Sequence, residues 1–182
     1  MIEIFPTPLP GLLVLKPRLF ADERGYFLEP FNQRTFAAAT GLDVTFVQDN
    51  ESRSAKGVLR GLHFQNAPHG QAKLVRVAAG AVIDVCVDLR EDSPTFGQHF
   101  AYRLDDQERR MLYVPAGMAH GFVALEEGTV FSYKCSTYYH PPAERIIRWN
   151  DPDLAIDWGI EQPIVSARDQ AGSSFAARPW RS

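Results

Sequence analysis

Short apolar runs alternate along the chain with glycine, proline, aspartate and asparagine, and this pattern predicts strands joined by turns. The predicted strands cover residues 12–20, 25–31, 44–52, 58–65, 73–79, 81–90, 96–104, 111–117, 121–127, 129–139 and 145–150. One helix is predicted over residues 35–40, ended by Gly41, and a second helical turn over residues 105–110. About ten strands without crossover helices favour an antiparallel sandwich or barrel. No repeat, linker or change of composition divides the sequence, so we expect one domain over residues 1–182.

The alternation of side chains also predicts which residues share a face. In the run 81–90, Asp84 and Cys86 lie on one face with Val82, while the odd-numbered apolar residues lie on the other. In the run 58–65, Arg60 and His63 would point to opposite faces of an ideal strand. Gly61 stands between them and predicts a bulge that re-aims one of the two.

Composition and charge then narrow the class of protein. A hydrophobic share of 45% is typical of a globular chain, and a net charge of -3 gives no general attraction to nucleic acid. Cys86 and Cys135 lie in apolar runs, which suits buried thiols in a reducing compartment. The first residues lack the features of a signal peptide, and no apolar run approaches the about 18 residues of a membrane span. We therefore expect a cytoplasmic protein without a nucleic-acid or membrane partner.

A histidine motif raises the question of a metal. Residues 115–120, PAGMAH, have the Pro-x-Gly-x-x-His spacing of the second cupin motif, which delivers His120 to a barrel interior. A metal-binding cupin also needs a His-x-His pair and a carboxylate, but the matching strand gives His63, Phe64 and Gln65. The ligand set for a transition metal is therefore incomplete, and no metal is predicted. His63 stays open to three interpretations: a metal ligand, a catalytic base, or a core histidine bonded to a carbonyl.

Three basic residues, Arg60, Lys73 and Arg76, lie within 17 positions of the chain around His63. Buried cations are unfavourable unless an anion pairs with them, so Arg60 and Lys73, flanked by glycine and apolar residues, predict a bound phosphate or oxyanion. Arg76 is explained equally well by a solvated outer face.

Aromatic and acidic residues supply further candidates. Tyr133 and Tyr139 share a face, which fits either ordinary packing or an interior acid beside an aromatic platform for a planar base. Asp169 fits either a turn residue or a carboxylate that orients a histidine. Asp84 is a candidate partner for His120.

Taken in order, seven segments resemble the dTDP-4-dehydrorhamnose 3,5-epimerase family. They cover residues 22–37, 46–65, 73–90, 94–97, 113–122, 149–158 and 163–170. The resemblance implies a cupin-like antiparallel jelly-roll barrel, or double-stranded β-helix, that works without metal or cofactor as a homodimer exchanging N-terminal strands. It also implies conversion of a dTDP-4-keto-6-deoxyhexose, dTDP-4-dehydro-6-deoxy-D-glucose, to dTDP-4-dehydro-L-rhamnose. The resemblance further implies a place in dTDP-L-rhamnose biosynthesis and so in lipopolysaccharide O-antigen biosynthesis.

Roles follow from the resemblance position by position. His63 matches the proton-abstracting base, Asp169 its dyad partner and Tyr133 the proton donor on the opposite face. Lys73 matches the residue that steadies the enolate oxygen, and Tyr139 the residue that stacks on thymine. The positions matched to nucleotide-sugar binding are Arg24, Glu29, Gln48, Asp49, Asn50, Arg60, His120, Glu144 and Arg168.

Departures from the family pattern keep alternatives open. Glu51, Phe64 and Cys135 stand where histidine, tyrosine and threonine are common in the family. One alternative is a 3-epimerase of a related nucleotide 4-keto-6-deoxysugar, and another is a cupin that binds a nucleotide sugar without turning it over. A metal-dependent cupin oxygenase is the third.

Overall fold

The computed structural model describes residues 2–181, and these form a mainly antiparallel β structure. The strands are β1 (Ile2–Pro6), β2 (Leu13–Pro17), β3 (Leu19–Asp22), β4 (Gly25–Leu28), β5 (Gln48–Ser54), β6 (Val58–Gln65), β7 (Lys73–Ala79), β8 (Ala81–Asp88), β9 (His99–Asp105), β10 (Met111–Val114), β11 (Met118–Ala124), β12 (Thr129–Cys135), β13 (Glu144–Ile146) and β14 (Ile164–Val165). The α-helices are α1 (Gln33–Thr40) and α2 (Ala167–Gln170), and short 3₁₀ turns lie at Pro141–Ala143, Phe175–Ala177 and Pro179–Arg181.

Two larger sheets face each other and form a cupin-like jelly-roll barrel, which confirms the predicted fold class. The first sheet has the strand order β1-β2-β10-β7-β12-β5, and the second has β13-β6-β11-β8-β9. Every pairing within them is antiparallel except that of β14, which joins β6 in parallel. The core between the sheets contains Val75, Val77, Val82, Cys86, Leu104, Leu112, Val114, Met118, Phe122 and Phe131. Both sheets therefore turn apolar faces inward.

The outer face of each sheet is also covered. Phe36 of helix α1 packs in one apolar cluster with Leu74 and Met111 of the first sheet. The chain after β13 covers the second sheet, where Val85 and Val87 pack in a cluster separate from that of Cys86. The predicted two faces of β8 are confirmed by this division. No helix among residues 2–181 is long and apolar enough to cross a membrane.

Several element boundaries differ from the prediction. The run 12–20 splits into β2 and β3 at Arg18, β5 begins only at Gln48, and β11 begins at Met118. Strands β1 and β14 were not predicted. The helical turn predicted over residues 105–110 is present as a single turn, in which the Arg109 amide donates to the Asp105 carbonyl at 3.3 Å and no helix continues. The Asp105 carboxylate also accepts the amides of Gln107 and Glu108.

Helix α1 is longer than predicted at its start and ends as predicted. The Asn32 side chain accepts the amides of Arg34 and Thr35, so the helix begins at Gln33. Gly41 ends it in a left-handed conformation with φ of 70°.

The β3–β4 hairpin forms a small sheet of its own. Phe20, Tyr26 and Phe27 are exposed on it, the last at 68%. Arg18 lies over the Phe20 ring and Arg109 over the Tyr26 ring. The hairpin thus presents aromatic surface to its surroundings.

Candidate active site

A cavity of about 390 Å³ opens between the two sheets. Ten of the predicted site residues line it: Gln48, Asn50, Arg60, His63, Lys73, His120, Tyr133, Tyr139, Glu144 and Arg168. The lining residues come mainly from β5, β7 and β12 of the first sheet and from β6 and β11 of the second. The fold therefore gathers these ten positions from six strands, from the connection between β12 and β13, and from helix α2.

Asp169 stands behind His63 and fixes its imidazole. His63 Nε2 donates to Asp169 Oδ1 at 2.7 Å, and the Gly61 amide donates to Asp169 Oδ2 at 3.3 Å. Desolvation raises the pKa of Asp169, but the His63 hydrogen bond, the His63 charge and the Gly61 amide outweigh it, so this pKa lies below its usual value. An ionised Asp169 holds the proton of His63 on Nε2 and leaves Nδ1 to accept one.

Gly61 allows Arg60 and His63 to reach the same cavity. Its φ is 138°, and a Cβ at this position would lie 2.6 Å from Gly121 Cα. The pairing of β6 with β11 shifts register at this point, between His120 and Phe122. The irregularity predicted at Gly61 is confirmed, and it brings both side chains to one side of the strand.

Tyr133 lines the cavity from β12, in the sheet that faces the one carrying His63. Burial is the main cause that raises the pKa of Tyr133 above its ordinary value. The phenol therefore keeps its proton through the neutral range. A base on one wall and a hydroxyl donor on the other can move protons on the two faces of a molecule bound between them.

Lys73 is a buried basic residue that lines the cavity from β7. The residue is only 8% exposed, and its Nζ donates to the His63 carbonyl at 3.5 Å. Burial lowers the pKa of Lys73, while Cys135, Cys86, Asp84 and Glu144 act in the opposite direction. An ammonium group so placed can stabilise a developing oxyanion.

His120 forms a second histidine–carboxylate pair, with Asp84. His120 Nε2 lies 2.8 Å from Asp84 Oδ2, and the Cys86 thiol donates to the same carboxylate at 3.8 Å. Burial lowers the pKa of His120 despite the nearby Asp84, so its imidazole is neutral at neutral pH. Asp84, Cys86 and His120 form the one group of three potential metal-ligating side chains that lie close together within residues 2–181. His63 lies outside this group, and its members already bond one another.

Tyr139 lies at the mouth of the cavity. The residue is 48% exposed, and its hydroxyl donates to Glu144 Oε2 at 2.5 Å. Arg168 pairs with the same carboxylate. The exposed ring, held by Glu144, offers a flat surface beside the arginine.

Arg24, Glu29 and Asp49 do not line this cavity. Arg24 pairs with Asp22 in the turn of the β3–β4 hairpin, and Glu29 accepts from Asn32. Asp49 pairs with Lys134, because alternation along β5 turns it outward while Gln48 and Asn50 face the cavity.

Some lining residues were missed by sequence reasoning. Ser52 and Gln65 line the cavity, and each follows a predicted residue by two positions on the same strand, Asn50 and His63 respectively. The alternation of side chains would have found both. The Ser52 hydroxyl is buried without a hydrogen-bond partner among the described residues.

A cupin-like barrel with a histidine–carboxylate pair on one wall of its cavity and a tyrosine hydroxyl on the other is typical of an enzyme that transfers protons. The family model described as dTDP-4-dehydrorhamnose 3,5-epimerase matches residues 6–177. A protein of that name from Salmonella typhimurium is 50% identical, with 94% of each chain covered, and one from Pseudomonas aeruginosa is 51% identical, with 92% of this chain and 93% of the other covered. The chain belongs to the dTDP-4-dehydrorhamnose 3,5-epimerase family, a family of isomerases.

A solved structure supports the same assignment. The epimerase from Legionella pneumophila in complex with dTDP-4-keto-L-rhamnose superposes with a TM-score of 0.93 at 45% identity, covering 97% of this chain and 94% of that one.

Proposed function

We propose that this protein converts dTDP-4-dehydro-6-deoxy-D-glucose to dTDP-4-dehydro-L-rhamnose by epimerising carbons 3 and 5. The observation that carries the proposal is the hydrogen-bonded pair of His63 and Asp169 on one wall of the cavity, facing Tyr133 on the other. The names of the relatives above supply the substrate.

Proton transfer next to a ketone explains the arrangement. Carbons 3 and 5 flank the ketone at carbon 4, and loss of a proton from either gives an enolate. His63 removes the proton through Nδ1, since Asp169 occupies Nε2. Tyr133 returns a proton to the opposite face, which inverts the configuration at that carbon. Each epimerisation uses the same base and acid in turn.

Lys73 stabilises the enolate oxygen, and its charge predicts the pH dependence. Burial lowers the pKa of Lys73, so Lys73 loses its charge at a lower pH than an ordinary lysine, whose pKa is about 10.4. We therefore expect kcat/KM to fall as the pH rises, with the midpoint of this fall below about pH 10.4. Tyr133 does not account for this limb, because its pKa is raised.

The Lys73→Met variant provides the check. We expect kcat to fall by about 10²–10³, the loss that follows removal of one oxyanion donor. The alkaline limb should also disappear from the profile of kcat/KM between pH 6 and 10.5. A limb that stays at the same pH in the variant would assign it to another group.

The arginines and Tyr139 suit the nucleotide. Arg60 and Arg168 line the cavity, and guanidinium groups bind diphosphate oxygens through paired donors. Tyr139 offers its exposed ring to the thymine. Arg60 is held by the Ser54 hydroxyl at 3.2 Å, which orients it toward the same space.

We further propose a single-domain homodimer that exchanges N-terminal strands and places Arg24 and Glu29 in the partner's cavity. This is supported by the hairpin that carries Arg24, which leaves Phe27 exposed and lies away from its own cavity. The cytoplasm is the proposed compartment, supported by the free buried thiols of Cys86 and Cys135.

Subunit mixing tests whether Arg24 acts across the dimer. Arg24→Ala and His63→Ala are each expected to have weak activity. If Arg24 serves the partner, a mixed dimer has one site with both changes and one site with neither, so mixing should restore about half of the wild-type activity per mixed dimer. No gain on mixing, with exchange of subunits verified by mass spectrometry, would place Arg24 in its own subunit's site or outside both.

The proposed function is tested by the product. Incubation with dTDP-4-dehydro-6-deoxy-D-glucose should give a sugar with inverted configuration at carbons 3 and 5, read from proton coupling constants by NMR. Inversion at carbon 3 alone would instead identify a 3-epimerase.

A further inference from the structure

The segment that carries Tyr139 crosses between the two sheets. It leaves β12 in the first sheet at Cys135 and enters β13 in the second at Glu144. Tyr139 therefore lies on a connection at the mouth of the cavity and not on a strand of either sheet. Its position depends on whatever holds this connection.

Two glutamines hold consecutive amides of that segment. Gln48 Oε1, on β5, accepts the Tyr139 amide at 2.8 Å. Gln65 Oε1, on β6, accepts the His140 amide at 2.7 Å. Because β5 belongs to the first sheet and β6 to the second, the segment is held from both sheets.

Gln65 makes further bonds that fix its own position. It is 6% exposed, and its Nε2 donates to the His69 carbonyl at 2.7 Å and to the Tyr138 carbonyl at 3.4 Å. The side chain thus ties the loop after β6 to the segment before β13. Its removal would leave partly buried amide and carbonyl groups without this partner.

Gln48 is similarly committed to the protein. Its Nε2 donates to Asn50 Oδ1 at 3.0 Å, while its oxygen accepts the Tyr139 amide. Both functional ends of the amide are therefore engaged within the chain. This favours a role in holding Tyr139 over direct binding of the substrate through the same atoms.

We propose that Gln65, together with Gln48, is a positioning residue that sets nucleotide affinity by holding Tyr139 in place at the cavity mouth. The inference rests on the proposed function only in taking Tyr139 as the residue that stacks on the thymine. It separates two tasks along one strand: His63 acts in the chemistry, and Gln65, two residues later, acts in binding.

A double-mutant cycle on dTDP binding tests the inference. The proteins are the wild type, Gln65→Met, Tyr139→Ala and the double variant, with Kd for dTDP measured by calorimetry. Gln33→Met is the matched control, because Gln33 also donates a 2.7 Å bond to a carbonyl, that of Val44, and does not line the cavity. If Gln65→Met fails to fold, Gln48→Met takes its place in the same cycle.

Gln65→Met should raise the Kd for dTDP by about tenfold, within the about 5- to 150-fold that one base–aromatic stack supplies. In the Tyr139→Ala background the same change should raise it less than about twofold, because the platform is already gone. KM should rise with Kd while kcat stays within about twofold of the wild type. An equal rise of Kd in both backgrounds, or a fall of kcat with Kd unchanged, would overturn the inference.

The test is separable from the proposed function because dTDP binding needs no turnover. Wild-type protein that binds dTDP without epimerising the sugar would contradict the proposed function and leave the cycle intact. Normal epimerisation with uncoupled glutamine and tyrosine effects would contradict only the inference.

Discussion

His63→Ala should abolish the exchange of substrate protons with solvent and lower turnover by about 10²–10⁴-fold, the usual contribution of a positioned acid or base. The Nε2 atom of His63 is bonded to Asp169. Among the histidines of residues 2–181 that line the cavity, His63 alone has Asp169 as its partner. His120, which also lines the cavity, is bonded to Asp84 instead, and its side chain is only 7% exposed against 31% for His63.

Exchange is measured by mass increase of the substrate in heavy water, with dTDP affinity followed in parallel. His99→Ala is the matched control, since His99 is exposed on β9 and does not line the cavity. We expect the control to exchange at the wild-type rate and His63→Ala to bind dTDP normally. Undiminished exchange in His63→Ala would remove the base from the mechanism.

Tyr133→Phe should lower product formation by about 10²–10⁴-fold while proton removal continues. The variant keeps the ring that packs near Phe131 and loses only the hydroxyl. The base on the other wall is unchanged, so substrate protons should still exchange through His63 and return to the same face. The expected signature is therefore deuterated substrate with unchanged configuration.

The ratio of exchange to product formation provides the measurement for Tyr133. Tyr138→Phe is the control, because Tyr138 is 70% exposed and its ring does not line the cavity. Equal losses of exchange and product in Tyr133→Phe would show that the hydroxyl is not a dedicated acid.

Much of the fold could be predicted from local sequence patterns, because the direction of a side chain in a strand depends on its neighbours in sequence. Alternation in β8 placed Asp84 and Cys86 on the inner face, and Gly61 marked the irregularity that lets Arg60 and His63 share a cavity. The same rule applied to β5 separates Asp49 from Gln48 and Asn50. Family resemblance grouped these three residues, whereas the strand turns only two of them inward.

Contacts between distant parts of the chain could not be derived from local pattern. Asp169 meets His63 across 106 positions, and Gln48 meets Tyr139 across 91. The periodicity of apolar residues does not predict such pairs, since they depend on how the sheets close and where α2 docks. Strands β1 and β14 were missed for a related reason, because each is short and gains its partner only in the assembled sheet.

The position of label after turnover in heavy water tests the central claim most directly. Wild-type protein, incubated with dTDP-4-dehydro-6-deoxy-D-glucose in heavy water, should give product with deuterium at both carbon 3 and carbon 5 by NMR. This result follows from one base and one acid serving both carbons beside the ketone. Deuterium at carbon 3 and never at carbon 5 would contradict the double epimerisation, and label at neither carbon would contradict the proton-transfer mechanism itself.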